Sequence, residues 1–491
     1  MEKLTAKKLN EVYISVDTSS SIYRELSDFF KFQVPGYQFM PAYKMRMWDG
    51  CLRLFNLMNG TLYIGLLDYL KEFCKSRGYQ LEVDPALSER IQFSREQTTE
   101  FLEALELPFE ARDYQIDAIH NAIHTNRSLL LSPTGSGKSL IIYALSRFYN
   151  KKTLIIVPTI SLVSQMFSDF KEYAKNQPEF CVDRVCHPIY SGQEKITNKK
   201  IVISTWQSIY KLPKEWFSQF DVVIGDEVHL FKAKSLTSIM SKLENTKYRF
   251  GTTGTLDGTQ THKLVLEGLF GKTFSVTTTK KLMEKKQLAE LKIECVVLKY
   301  DERTCKQVKK VKYNEEIKFL VQNEKRNKFI RNLAVSTKAN CLVLFQFVEL
   351  HGKVLYDTIK DLAHKKDPNR KVFFVAGETD AETREQIRTI TENERDAIII
   401  ASSGVFSTGV NIRNLENIIF ASPTKSRIKT LQSIGRTLRI GDHSDKATLY
   451  DIVDDLTDKS YKNFAVKHFL ERVKIYNEEK FKFKLHKVNL F

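Results

Sequence analysis

The sequence predicts an α/β protein: two domains built on parallel sheets, in tandem, behind a small α+β N-terminal domain. Three observations predict it. The chain has 491 residues, too many for one ordinary core and enough for about three. From residue 109 onward, short apolar runs alternate with helical segments: SLLLS (128–132), TLIIV (153–157), IVIST (201–205), DVVIG (221–225) and YRFGTT (248–253). A second series follows: CLVLF (341–345), KVFFV (371–375), AIIIAS (397–402), NIIFA (417–421) and ATLYDIV (447–453). Continuous apolar runs without alternation suit parallel strands covered on both faces, and two such series imply two domains.

The elements follow in order. VYISVD (12–17) reads as a strand and SIYRELSDFFKF (21–32) as a helix. GCLRLFNLMNGTLYIG (50–65) reads as a hairpin turning at Asn59-Gly60. LLDYLKEFCKSRG (66–78) is a helix ending at Gly78, and YQLEVD (79–84) a last strand of this region. An acidic helical connector, SREQTTEFLEALELP, occupies 94–108. The expected domains are 1–95, 96–280 and 281–455, with 456–491 a basic helical tail and the crossover near TTTKKLMEKKQLAELKI (277–293).

Lys and Arg number 76 against 59 Asp and Glu, a net charge of +17. Roughly +14 of this lies from residue 271 onward. Such an excess fits a polyanionic partner, nucleic acid or an acidic membrane face. The seven cysteines are odd in number and scattered, with no C-x-x-C, which points to a reducing compartment and no disulfide framework. Cys181, Cys186 and His187 lie close in sequence but lack further ligands at zinc spacing. MEKLTAKKLN has no signal-peptide core, and no apolar run approaches the ~20 residues of a membrane span.

Chemistry concentrates in SPTGSGKS (132–139). Strand, glycine turn and helix form the context of a phosphate loop, although Ser132 stands where the template has its first glycine. Thr134, Gly135, Ser136 and Gly137 would turn backbone N–H groups toward the phosphates of ATP at the positive end of a helix. Lys138 would reach the β/γ-phosphates and Ser139 would ligate Mg²⁺. DEVH (226–229) follows a buried strand about 90 residues later. Asp226 would hold Mg²⁺, Glu227 would take the proton of the attacking water, and His229 would link this strand to neighbouring loops. In RDYQIDAI (112–119), the Gln115 amide can read an adenine edge as donor and acceptor. LQSIGRTLR (431–439) places Arg436 and Arg439 on one helical face, suited to a developing phosphate charge, beside Gln432.

In AYKMRMWDGCLRLF (42–55), aromatics and cations interleave, and Lys44, Arg46 and Trp48 are candidates for gripping phosphate and stacking bases. Core packing of Trp48 is an equal reading.

Together RDYQ, SPTGSGKS, VPTISLVSQ (157–165), STWQSI (204–209), DEVH, GTTGTL (251–256), ASSGVFSTGVNIRNL (401–415) and QSIGRTLR resemble the motifs of superfamily 2 helicases, in order and spacing, over about 340 residues. LPKEWFSQF (212–220), KLMEKKQLAELKI (281–293), VAGETDAETR (375–384) and the WDG segment (48–50) further resemble the UvsW helicases of T-even phages. The resemblance implies two RecA-like domains, ATP and Mg²⁺ as cofactors, and a small N-terminal DNA-binding domain. It implies work on branched or single-stranded DNA and RNA–DNA hybrids: fork regression, Holliday-junction branch migration and R-loop unwinding. It also implies a monomer acting with single-stranded-DNA-binding and recombination proteins in the cytoplasm of a phage-infected bacterium. Carried over by motif, Thr159, Thr205, Gln207 and Thr408 would hold the nucleic-acid backbone. Thr252, Thr253, Thr255, His229 and Gly409 would couple ATP state to domain movement, and Gln432, Arg436 and Arg439 would sense the γ-phosphate. Asn411 stands where many relatives carry an Asp near the ribose. An RNA helicase shares every one of these motifs, and an ATP-switched annealing protein shares the phosphate loop. No nuclease domain is evident.

Overall fold

The computed structural model describes residues 2–190, 192–231, 233–256, 260–309, 311–408, 412, 414–423 and 446–491, with the side chains at 233, 260–262, 381, 385 and 406–408 outside that set. The chain divides into two compact units. One comprises Met1–Ser132 and Ser136–Thr277; the other comprises Thr278–Phe491 together with Pro133–Gly135.

The first unit begins with six short strands: β1 (Lys3–Lys8), β2 (Tyr13–Asp17), β3 (Lys31–Gln33), β4 (Cys51–Arg53), β5 (Thr61–Tyr63) and β6 (Gln80–Val83). Four form a sheet ordered β5-β2-β1-β6, and β3 and β4 form a separate antiparallel ribbon. Alternating burial along β1 and β2 puts Leu4, Ala6, Ile14 and Val16 into a core with Leu26 and Phe73 of the two flanking helices, Ser20–Phe29 and Leu67–Arg77. Gly78 ends the second of these helices in the left-handed conformation (φ +70°), as expected. The segment 50–65 departs from the expected simple hairpin. Its two strands pair with different partners, β4 with β3 and β5 with β2, and only the Asn56–Thr61 bridge joins them. Gly60 (φ +63°) lies so near the Tyr23 hydroxyl that a Cβ would come within 2.7 Å of it, so the turn is shaped by the neighbouring helix.

The connector helix Arg95–Glu103 opens on a capping box between Ser94 and Gln97. A parallel sheet follows, built from β7 (Arg127–Leu131), β8 (Thr153–Val157), β9 (Cys186–Ile189), β10 (Ile201–Thr205), β11 (Val222–Gly225), β12 (Tyr248–Thr253) and β13 (Thr273–Ser275). Its order is β13-β7-β12-β11-β8-β10-β9, with every recorded pairing parallel. Every residue of β8 and β10 is buried, as their unbroken apolar runs predict.

The N-terminal sheet packs against this domain. Leu264, on the helix Gln260–Phe270, belongs to the N-terminal hydrophobic core. Tyr69 donates a hydrogen bond to Glu267 (2.7 Å), and Arg127 pairs with Glu11 (2.9 Å). A Cβ on Gly65 would meet the Glu267 carbonyl oxygen at 1.9 Å, so the two backbones touch there.

The second unit holds β14 (Glu290–Lys299), β15 (Cys341–Phe345), β16 (Val372–Val375), β17 (Ile398–Ser402), β18 (Asn417–Phe420), β19 (Lys446–Asp455) and β20 (Phe483–Asn489), ordered β16-β17-β15-β18-β19-β14-β20 and parallel at each recorded pairing. The segment expected as a helical tail is a helix, Phe464–Glu478, followed by a strand. Its KFKFKLHK alternation has period two, and it pairs with β14 from Ile293↔Phe483 to Lys299↔Asn489. The buried carboxylate of Glu316 accepts the Phe464 and Ala465 N–H groups (2.9 and 2.8 Å) and fixes where that helix starts.

Candidate nucleotide site and nucleic-acid grips

The candidate residues of the first α/β domain collect at the carboxyl ends of its strands, the edge where open parallel sheets bind ligands. The phosphate loop leaves β7. Gly135 and Gly137 both take left-handed φ, +83° and +81°. A Cβ on Gly137 would meet the Gln115 amide nitrogen at 2.3 Å, so that turn excludes any side chain. The helix Lys138–Tyr149 starts immediately after.

Gln115 braces this loop. Buried at the start of the helix Asp113–Thr125, it accepts from the Arg112 N–H (2.9 Å) and donates to the Ser136 carbonyl (2.8 Å). Each end of its amide retains one further bonding capacity. Ser132, which precedes the glycine turn, supports the loop. Its hydroxyl bonds that of Ser136 at 2.6 Å, and its carbonyl accepts from Lys138 (3.3 Å). Ser139 shares a hydrogen bond with Tyr173 (2.8 Å), a partner that sequence spacing does not reveal. Thr134 lies on the turn before Gly135.

The acidic pair follows β11. Asp226 Oδ1 accepts from the Thr252 hydroxyl (2.6 Å) and from the Glu227 N–H (2.9 Å). Glu227 sits in the left-handed region (φ +47°), unusual for a side chain of its size. Its carboxylate pairs with Lys138 (3.0 Å), lies 3.3 Å from His229 Nδ1 and accepts from the Gly254 N–H (3.4 Å). Burial and the adjoining Glu227 charge push the Asp226 carboxyl well above its ordinary range. Burial opposes ionisation of Glu227 as well, yet the Lys138 ammonium and His229 hold it well below that range.

His229 connects the pair to β12. The Thr253 hydroxyl donates to the Thr255 carbonyl (2.8 Å), so it accepts from His229 Nδ1 (2.6 Å), which therefore carries the proton. Thr252, Thr253 and Thr255 are all buried.

The grips expected for nucleic acid lie on the next two strands. Thr159 follows β8 and caps the helix Ile160–Tyr173 by accepting from the Leu162 N–H (3.3 Å). Thr205 ends β10, its hydroxyl bonded to Ser208 (2.8 Å), and the exposed Gln207 donates to the Pro158 carbonyl (3.1 Å), joining the two loops. Sheet order thus sets the candidate nucleotide residues at the ends of β7, β12 and β11 beside the candidate grips at the ends of β8 and β10.

In the N-terminal domain, Lys44 and Arg46 are exposed, and Trp48 is half-buried with its N–H donated to the Cys51 carbonyl (2.8 Å). Gly409, Asn411, Gln432, Arg436 and Arg439 lie outside the described residues, as does the side chain of Thr408, which ends the helix Ser403–Thr408. The seven cysteines are free thiols, and His187 bonds the Glu194 carbonyl (2.9 Å). Among the described residues, no group of three or more His, Cys, Asp or Glu is placed to hold a metal ion. No helix there is long and apolar enough to cross a membrane.

Comparison with known proteins gives the family. A family model described as the N-terminal part of the DNA helicase UvsW matches residues 3–84. The type III restriction enzyme res subunit family matches 108–258, and the helicase conserved C-terminal domain matches 324–441. The chain is 38% identical to the ATP-dependent DNA helicase uvsW of Enterobacteria phage T4 over 504 residues, 97% of this chain and 98% of that protein. It is 25% identical to the DNA 3'-5' translocase XPB2 of Sulfurisphaera tokodaii, over 70% of this chain and 81% of that one. The crystal structure of T4 UvsW aligns over the whole of both chains with 36% identity and a TM-score of 0.53. A fragment of a putative HsdR subunit of a type I restriction enzyme from Vibrio vulnificus shares the fold, with a TM-score of 0.58 at 18% identity over 90% of this chain and 76% of that one.

The matched helicase domains and the T4 relative make this chain an ATP-dependent helicase of superfamily 2. Within that class the chain belongs to the UvsW family of DNA helicases.

Proposed function

We propose that this helicase is a translocase that remodels branched DNA, regressing forks, migrating Holliday junctions and unwinding RNA–DNA loops during phage recombination, repair and replication. One observation supports coupling most directly. The proposed nucleotide residues and backbone grips follow five consecutive strands of one sheet, with Asp226 just past β11 and Thr159 just past its neighbour β8. A change at the phosphate is then one strand away from the DNA. In this reading the protein works as a monomer in the host cytoplasm, with single-stranded-DNA-binding and recombination proteins as partners.

Lys138 holds two groups that ATP must displace, the Glu227 carboxylate and the Ser132 carbonyl. Incoming phosphates take Lys138 for themselves and release Glu227 to accept a proton from water. The donor set fits Mg²⁺, which prefers oxygen: a serine hydroxyl at the helix start, and an Asp226 carboxylate whose two protein hydrogen bonds both fall on Oδ1. Bound there, Mg²⁺ would neutralise charge on the phosphates. Thr252, hydrogen-bonded to Asp226, and His229, bonded to Thr253, carry changes at the acidic pair into the GTTGTL segment. Gln432, Arg436 and Arg439 serve as the γ-phosphate sensors, and Thr408 and Gly409 belong to the second domain's grip and coupling.

The test is steady-state ATP hydrolysis with no cofactor, single-stranded DNA, duplex, a fork or four-way junction, and single-stranded RNA, at one fixed salt concentration. Lys138→Ala is the control. Strongest stimulation by junctions supports the proposal. Stimulation by RNA alone would replace it with an RNA helicase, and no stimulation at all would leave ATP as a switch.

A further inference from the structure

Between β3 and β4 the chain leaves the ribbon and builds a tip at residues 37–48. Four large apolar side chains are exposed there within nine residues: Phe39 (79%), Met40, Met45 (62%) and Met47 (77%). Exposed apolar side chains clustered this closely mark an interaction surface. The tip is braced from beneath. The Tyr37 and Tyr43 rings meet edge to face at 4.7 Å. Gly50 turns back at φ +78° so close to Tyr37 that a Cβ would come within 2.4 Å of the ring. Trp48, with its N–H tied to Cys51, forms a wall.

Arg46 follows the short helix Pro41–Lys44 and adopts φ +55°. Glycine is the ordinary residue for that left-handed position, because it carries no strain there. Arginine instead stands there, exposed, between Met45 and Met47 in the chain. Neither Arg46 nor Lys44 pairs with a carboxylate among the described residues, whereas Arg53 nearby is neutralised by Asp49 (2.5 Å). A groove of about 560 Å³ is lined by Tyr43, Lys44, Arg46, Met47, Trp48 and Asp49, whose carboxylate is taken up by Arg53.

We propose that this tip is a wedge for the branch point of DNA: Met45, Met47 and Phe39 insert against the bases where two strands part, while Lys44 and Arg46 hold the flanking phosphates. Apolar side chains that enter a base step replace lost stacking, and the polarisable methionine thioether suits contact with aromatic rings. The free cations beside the apolar surface favour a polyanion that exposes apolar faces, which is the chemistry of unpaired bases at a junction. This rests on the branched-DNA reading above, and it gives the N-terminal domain the task of parting strands rather than only binding them.

The experiment places 2-aminopurine at successive positions of a synthetic fork and follows its fluorescence on binding of the full-length protein, alongside fork remodelling and single-stranded-DNA-driven ATP hydrolysis. The expected result is a rise confined to positions beside the branch. In M45S/M47S that rise disappears and fork remodelling falls roughly tenfold, with the single-stranded-DNA-driven rate kept. Both substitutions are at exposed positions, and an unchanged melting temperature verifies the fold. Arg46→Gly relieves the backbone and removes the cation, so it weakens fork binding and lowers the salt slope by about one. A wild-type protein that remodels forks without any branch-localised rise overturns the wedge and leaves the branched-DNA reading standing. A wild-type protein inert on forks overturns that reading, and the wedge with it. M45S/M47S behaving as wild type overturns the wedge and points to a protein partner at the tip.

Discussion

In the first α/β domain, the half-buried Lys138 and Glu227 and the buried Asp226 and His229 gather beyond the ends of β7 and β11. In the second domain, Arg326, Arg472, Asp451 and Asp454 lie along β19 and the helices over it. Of the second set, the Asp451–Arg472 pair is closed, whereas Asp454 Oδ2 and Arg326 Nη1 are buried without a partner among the described residues. Arg472 grips both oxygens of Asp451 (2.7 and 2.9 Å), and the Tyr476 hydroxyl adds a third bond (2.8 Å). Asp454 accepts from Arg326 and Tyr300, each at 2.8 Å. The forked, charge-assisted Arg472–Asp451 pair fixes a packing arrangement, and Arg326 adds a bond to the Ala421 carbonyl (2.7 Å). The first set is looser: Glu227 meets Lys138, His229 and Gly254 through single contacts of 3.0 to 3.4 Å. One arrangement binds helices to a sheet, and the other can exchange partners when phosphate arrives. Burial of charge alone does not tell a site from a scaffold.

The comparison can be broken most sharply at Lys138. Lys138→Ala should lower DNA-stimulated ATP hydrolysis by about a thousandfold, with DNA affinity and melting temperature nearly unchanged. A large loss of stability instead would make the pair with Glu227 a scaffold like those on β19. Arg326→Met should do the reverse. It strands Asp454 in the core, destabilising the second domain by about 3–5 kcal/mol in denaturant unfolding, and the double variant Arg326→Met with Asp454→Leu should recover much of the loss. A double variant as unstable as the single one would show that the pair does more than satisfy itself.

Gln115 sharpens the contrast, because it is both buried and in the site. Gln115→Ala should reduce kcat by roughly ten- to a hundredfold by releasing the Ser136 carbonyl and loosening the cradle. A change in KM for ATP alone would assign the amide to the base and not to the loop. The smallest effect is expected at His351, buried in the second domain, where burial and then the Arg326 charge lower its pKa to about 3. The unfolded chain binds this proton near 6.5 and the folded chain does not. Stability is therefore present above that value and is lost as pH falls below it, by about 1.4 kcal/mol between pH 7.5 and 5.5. Denaturant unfolding of His351→Asn across that range should show less acid sensitivity than the parent.

The sequence makes the interior strands plain and the peripheral ones obscure. TLIIV and IVIST coincide with β8 and β10 to the residue, because strands buried on both faces leave uninterrupted apolar runs. β13 has three residues, too few for a pattern. β14 lies at the end of a stretch whose lysines read as a crossover, and β20 is an edge strand whose exposed lysines read as a tail. The site divides in the same way. Lys138, Asp226 and Glu227 declare themselves by type and spacing, whereas Gln115 on Ser136, Tyr173 on Ser139 and His229 on Thr253 join residues 21 or more positions apart. Such contacts exist only once the sheet has set its strand order.

The backbone contact at Gly65 bears on mechanics. With no side chain to space them, residue 65 and the Gln260–Phe270 helix meet as closely as neighbouring strands do. That helix begins a few residues beyond GTTGTL, the segment tied to the acidic pair. Load applied to the N-terminal domain therefore passes by direct backbone contact to a helix that lies a few residues along the chain from the candidate nucleotide site. A junction that resists separation would be felt there as strain, and the rate of hydrolysis would vary with the force opposing the motor.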